Sequence, residues 1–136
     1  MGKAAVIIIA DTNVLIRALV GDEPNQSPKA VEILRRASSV VLTLPTLCEI
    51  AWSLRQRYRL SSAELFDTIT GILSDQKVIC DRAAAEAGLA MLTAGGDFAD
   101  GIIAFEGRRL GGDIFATFDT KAARLIAETG GRVELL

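Results

Sequence analysis

Five carboxylates fall where the chain passes from one kind of element to the next. Asp11 ends "VIIIAD" and Asp119 ends "IFATFD", each where an apolar run turns polar. Glu49 follows "LTLPTLC", in the first turn of a predicted helix. Asp97 and Asp100 open "DFADGIIAFEGRRL" one turn apart, which puts them on one helix face. At about 100° per residue, Glu49 projects away from the apolar stripe of Leu47, Ile50 and Leu54. Carboxylates brought to one edge of a fold repel one another unless a cation neutralises them. With oxygen ligands alone the fitting ions are Mg2+ and Mn2+, which keep waters and engage phosphate. An ion held in this way generates hydroxide and clamps the attacking and leaving oxygens of a displacement.

Other chemistries are excluded. The chain has no histidine, which removes Ser–His and Cys–His nucleophiles and every imidazole ligand. Cys48 and Cys80 stand 32 residues apart with no Cys-x-x-Cys, so they offer no zinc site. As free thiols they suit a reducing cytoplasm. A net charge of −2 exerts no overall pull toward nucleic acid, so any such binding needs a local basic patch. No basic stretch leads into a long apolar run at the start, and no apolar stretch approaches the roughly 20 residues that span a bilayer. Neither a leader nor a membrane partner is expected.

Each acid also has a purely structural reading. Thr46 and Glu49 spell the Thr-x-x-Glu capping box. Asp97 and Asp119 can cap the helices they open, and Asp11 can form an Asx-turn with Asn13. Acids at helix starts also complement the macrodipole. Taken singly, Glu49, Asp97 and Asp119 read as caps. Asp11 is balanced, because Thr12 or Asn13 can cap that helix without it. The joint pattern shifts the reading to a metal site.

The elements that must position these acids alternate. Ala4–Ala10 is a continuous β-branched run, expected as a strand buried on both faces. A short helix over Asn13–Leu19 is closed by Gly21, and Ser27-Pro28 predicts the start of a helix with Ala30, Val31 and Leu34 inward. A strand is predicted over Val40–Leu44 and a helix over Thr46–Tyr58. Ser61 and Glu64 form a capping box before an apolar helix, Lys77–Cys80 predicts a strand, and Asp81 caps an alanine-rich helix ending at Gly95-Gly96. Ala99–Leu110 predicts a helix with Ile102, Ile103 and Leu110 inward. Asp113–Phe118 and Arg132–Leu135 predict strands flanking a helix over Thr120–Thr129. The order implies one α/β domain over residues 1–136, an α/β/α sandwich with a parallel sheet of four to five strands. Ligands in such folds sit outside the carboxyl ends of the strands, where the acids fall.

"ADTNVLIRAL", "LTLPTLCEIAWSL", "DFADGIIA" and "ATFDTKAARL", in this order and at this length, resemble the PIN-domain nucleases, and within them the VapC-type toxins of toxin–antitoxin pairs. The resemblance spans essentially the whole chain and rests on four motifs in order, none of them specific alone. It implies a three-layer PIN-like sandwich and a metal-dependent endoribonuclease giving 5′-phosphate and 3′-hydroxyl ends. It implies that Asp11, Glu49, Asp100 and Asp119 are the catalytic and metal-holding acids, with Mg2+ as cofactor and Mn2+ able to substitute. Asp97 matches an accessory acid, Thr117 a hydroxyl position near the metal, and Asn13 a polar one near Asp11. The departure is Gly101, where relatives carry a larger helix former; glycine there weakens a helix by up to about 1 kcal/mol. The implied partners are an RNA such as tRNA or rRNA, a cognate VapB-like antitoxin and a second copy in a homodimer.

RNA requires cations near the acids. Arg17 and Lys121 lie beside them in sequence and are the expected phosphate contacts. Arg55, Arg57, Arg59, Arg108 and Arg109 read as solvated helix ends. Trp52, off the apolar stripe, is a candidate for base stacking, whereas Tyr58 lies on the stripe. The competing functions are a non-toxin PIN nuclease of RNA processing, a phosphoacceptor or aspartate-phosphatase domain, and a non-catalytic metal- or protein-binding α/β module. The phosphoacceptor pattern needs an acidic pair at Asp11, where Thr12 and Asn13 stand instead. The phosphatase pattern needs Asp-x-Asp, and its third place holds Asn13. All four family acids are present, against a decayed module.

Overall fold

A computed structural model describes residues 5–136. Along it run β1 (Ile7–Ile9), α1 (Thr12–Val20), α2 (Gln26–Arg36), β2 (Ser39–Val41), α3 (Leu44–Gln56) and α4 (Ser62–Ser74). Then come β3 (Val78–Ile79), α5 (Arg82–Thr93), α6 (Phe98–Arg109), β4 (Ile114–Thr117), α7 (Thr120–Glu128) and β5 (Arg132–Leu135). The result is an α/β sandwich with parallel strands, as the alternation of elements demands. The strands form two sheets. β1, β2 and β3 pair in parallel in that order, with Ile8 opposite Val40 and Val41 opposite Ile79. β4 and β5 pair in parallel, with Phe115 opposite Val133.

A single sheet of four to five strands is therefore corrected to one of three strands and one of two. The burial expected on both faces of β1 is corrected with it. Ile7 is 58% and Ile9 78% exposed, while Ile8 packs against the core. Alternate side chains of a strand point to opposite faces, so an apolar run buries fully only if something covers each face. At β1 one face is covered. Ala4, part of the predicted strand, lies outside the described residues.

Local signals explain most helix boundaries. Gly21 ends α1 at φ 69°, a left-handed conformation that glycine takes at little cost. Ser61 and Glu64 make the expected capping box on α4, and the Asp81 side chain accepts from Ala84 N–H to start α5. Two predicted starts move. α2 begins at Gln26, and the Glu23 carboxylate accepts from the N–H groups of Asn25 and Gln26, so Ser27 lies buried inside the helix. α3 begins at Leu44 with Thr43 as its cap, because Pro45 fits the first turn and carries no N–H to satisfy. That shift leaves Glu49 outside any capping box. Ile103 and Leu110, expected inward, are 55% and 86% exposed; Val31 is also exposed.

Gly101 finds its reason in packing. A Cβ there would stand 2.5 Å from the Ala87 carbonyl and 2.8 Å from Met91 Cβ. On the facing helix, a Cβ on Gly88 would stand 2.6 Å from the Phe98 ring. α5 and α6 approach so closely that only glycine fits, and the helix bearing Asp100 is seated by that contact. The intrinsic cost of glycine in a helix is offset by the packing it allows.

Candidate active site

The acids stand in two limbs. The first joins α1 to α3. Asp11 precedes α1 in extended backbone, is exposed, and makes no side-chain cap bond. The buried Thr12 donates its hydroxyl to Glu49 Oε2 at 2.9 Å, across 37 residues. This bond ties the end of β1 to α3, and it holds Glu49 on the outer face of its helix.

The second limb lines a cleft of about 250 Å3, walled by Asp97, Asp100 and Asp119 with Cys48, Trp52, Arg55, Gln56 and Lys121. Asp97 caps α6, its Oδ1 accepting from Ala99 N–H at 2.8 Å and from Asp100 N–H at 3.3 Å. Asp119 caps α7, accepting from Ala122 N–H at 3.0 Å. Thr117 Oγ1 accepts from Asp119 N–H at 3.0 Å and so steadies the turn out of β4. The capping reading thus holds for Asp97 and Asp119, while their carboxylates still border the cleft.

Like charges from both limbs meet at Cys48. Burial, and then the charges of Asp97 and Asp119, push the Asp100 carboxyl above its ordinary pKa. Burial also raises the Cys48 thiol, helped by the charges of Asp97 and Glu49, one from each limb. Cys48 stands between them, its thiol held more firmly protonated than a free cysteine's. Elsewhere only some acids are matched by arginine: Asp22 by Arg17, Glu32 by Arg35 and Arg36, Asp81 and Glu106 by Arg109, Glu128 by Arg124. Among the described residues, Asp11, Glu49, Asp97, Asp100 and Asp119 form no ion pair. Charge that arginine leaves unmatched in this way is what a divalent cation neutralises, and the donor set is the all-oxygen one that Mg2+ and Mn2+ prefer. Among the described residues no three acid or thiol side chains are close enough to enclose an ion by themselves. The site is an open pair of limbs.

The cations sort differently from their order in sequence. Lys121 and Arg55 line the acid cleft; Arg55 also donates to the Leu60 carbonyl at 3.2 Å. Arg17 is engaged elsewhere, with Gln26 at 2.9 Å, the Tyr58 hydroxyl at 3.4 Å and Asp22 at 3.7 Å. It lines a second groove together with Asn13. Arg109 pairs with Asp81 at 2.7 Å and covers the Phe105 ring, a structural role. Arg55, expected as a solvated helix end, and Cys48, expected as a free thiol, both line the cleft, as does Gln56, which the sequence did not single out. Their spacing from Trp52 on one helix was the signal that could have found them.

A model of the family described as PIN domain matches residues 8–127. The chain belongs to the PIN-domain family. The matched span contains all five acids of the two limbs. PIN domains in general are nucleases, hydrolases that use divalent metal ions and act on nucleic acids. No curated protein matches the sequence. No helix among the described residues is long and apolar enough to cross a membrane.

Proposed function

We propose that the chain is a metal-dependent endoribonuclease of the VapC toxin type, one PIN domain over residues 1–136 acting in the cytoplasm. The observation that carries the nuclease reading is the gathering of Asp97, Asp100 and Asp119 around one cleft that also contains Lys121 and Arg55. The toxin reading rests on the order and spacing of the four sequence motifs. On it, the protein forms a homodimer and is held inactive by a VapB-like antitoxin.

Asp11, Glu49, Asp100 and Asp119 would hold Mg2+, or Mn2+ in its place. The chemistry gained with such an ion bound is acidification of water and neutralisation of charge developing on phosphate. The chain's own groups do the rest. Lys121 and Arg55 supply positive charge to a phosphodiester entering the cleft. Thr12 holds Glu49 with one carboxylate oxygen engaged. The helix N–H groups hold Asp97 and Asp119 in the same manner. Asp100, whose proton affinity is raised by burial and then by the charges of Asp97 and Asp119, would be relieved by a cation. Cleavage in line leaves a 5′-phosphate and a 3′-hydroxyl.

The test is digestion of purified tRNA and rRNA with Mg2+ or Mn2+, with EDTA, and with Asp100→Asn alongside. Discrete cuts that need the ion and vanish in the variant are expected. Cutting that persists in Asp100→Asn would place the chemistry on other residues.

A further inference from the structure

Trp52 is the only tryptophan of the chain, and it is 57% exposed. A tryptophan left half in water is a poor core residue, and here it forms part of the wall of the acid cleft. Its place on α3 joins the two limbs. Cys48, one turn before it, faces the cleft with Asp97, Asp100 and Asp119. Glu49, three residues before it, belongs to the other limb through Thr12. Residues three and four apart on a helix are neighbours, so the indole stands beside both acid sets. Gln56, one turn further on, borders the same cleft and offers two donors and one acceptor. The surface thus passes from acids through a flat aromatic face to an amide.

Resting on the nuclease reading above, we propose that Trp52 is a stacking platform for an unpaired nucleobase next to the scissile phosphate. Gln56 meets that base at its edge. The physical basis is that a base can lie on an indole only when it is free of its own stack. The acids repel the strand's phosphates, and the indole adds an attraction that does not depend on charge. Lys121 and Arg55 hold the phosphate on one side while the base is held on the other.

Because Trp52 is the sole tryptophan, intrinsic fluorescence reports on this side chain alone. The protein is titrated in EDTA with a single-stranded oligoribonucleotide and with the same sequence annealed into a duplex. Saturable quenching by the single strand, and none by the duplex, is expected. Steady-state cleavage of the single strand with Mg2+ or Mn2+ then compares Trp52→Ala with Trp52→Phe, both checked for intact folding by circular dichroism. Trp52→Ala should raise KM about 5-fold to 100-fold with kcat little altered, and Trp52→Phe should recover most of that loss. A silent indole together with a wild-type KM for Trp52→Ala, in a protein that still cuts RNA, overturns the platform and leaves the nuclease reading intact. Equal quenching by duplex and single strand also overturns it. Absence of metal-dependent cutting by any well-folded form fails the nuclease reading itself.

Discussion

The sheet of β1, β2 and β3 contributes Val40 to a cluster in which Leu42, Leu47, Ile50, Leu54, Leu65 and Ile69 are also buried. The β4–β5 ladder is backed by a separate cluster of Met91, Ala104, Leu125 and Ile126. One limb of the site, Asp11 and Glu49, stands over the first cluster, while Asp119 issues from a strand backed by the second. The acids are secured differently as well. Glu49 is held across the fold by Thr12, whereas Asp119 is held by the first turn of its own helix. Segments with fewer buried apolar groups open at lower free energy. The comparison teaches that the site joins a firmly supported half to a lightly supported one, and that a cation or substrate bridging the limbs would stiffen the lighter half.

Core truncation breaks this comparison most directly. Leu47→Ala should cost about 2–5 kcal/mol, and Leu125→Ala should fall at the low end of that range because its smaller cluster leaves more room to relax. Denaturant melts give the totals. Hydrogen exchange should show the Leu125→Ala loss confined to α7 and the β4–β5 ladder, and global opening in both variants would show the halves to be one cooperative unit.

Removing an acid from either limb tests whether both halves serve one reaction. Asp11→Asn and Asp119→Asn should each lower cleavage by about 100-fold or more. If single-turnover rates fall for one and hold for the other, the chemistry belongs to one limb.

Gly101→Ala probes how α6, which carries Asp100 and reaches both clusters through Phe98, Ile102 and Ala104, is seated on α5. The new methyl would meet the Ala87 carbonyl, and overpacking of this kind costs about 1–3 kcal/mol. A variant as stable as wild type in urea would show that α5 and α6 can part cheaply.

The smallest effect sharpens the electrostatic side. A carboxyl whose pKa is raised on folding contributes no penalty below the unfolded value of about 3.9. The penalty grows as pH rises through the folded value and is complete above it. Asp100→Asn should therefore melt slightly higher than wild type at pH 7 without divalent ions, and the difference should vanish below about pH 4. Mg2+ should erase the difference at pH 7 by stabilising wild type. The shift is small because the carboxyl is only partly buried, and calorimetry across pH would read it.

Much of this was legible beforehand. The order of elements, the strand-end places of Asp11 and Asp119, the capping box of Ser61 and Glu64, and the cap at Asp81 all follow from interactions within about four residues. So does the outward face of Glu49, because helix period alone sets it. These features depend on the chain's local stereochemistry, which the sequence carries whole.

What lay beyond local reach was decided by packing. Arg17 follows Asp11 closely, yet it serves Gln26 and Tyr58, while Lys121 and Arg55, far from each other in the chain, share the acid cleft. Glu49 loses its expected cap partner and gains Thr12, 37 residues away. Gly101 looks like a flaw in an isolated helix and is a requirement once α5 lies against it. The apolar run of β1 specifies extended backbone, but the cover on each face comes from other elements, and here one face lacks it. The sequence by itself determined which residues could do chemistry and on which elements they sit; the tertiary structure decided which of them meet, because that depends on close approach between segments distant in the chain.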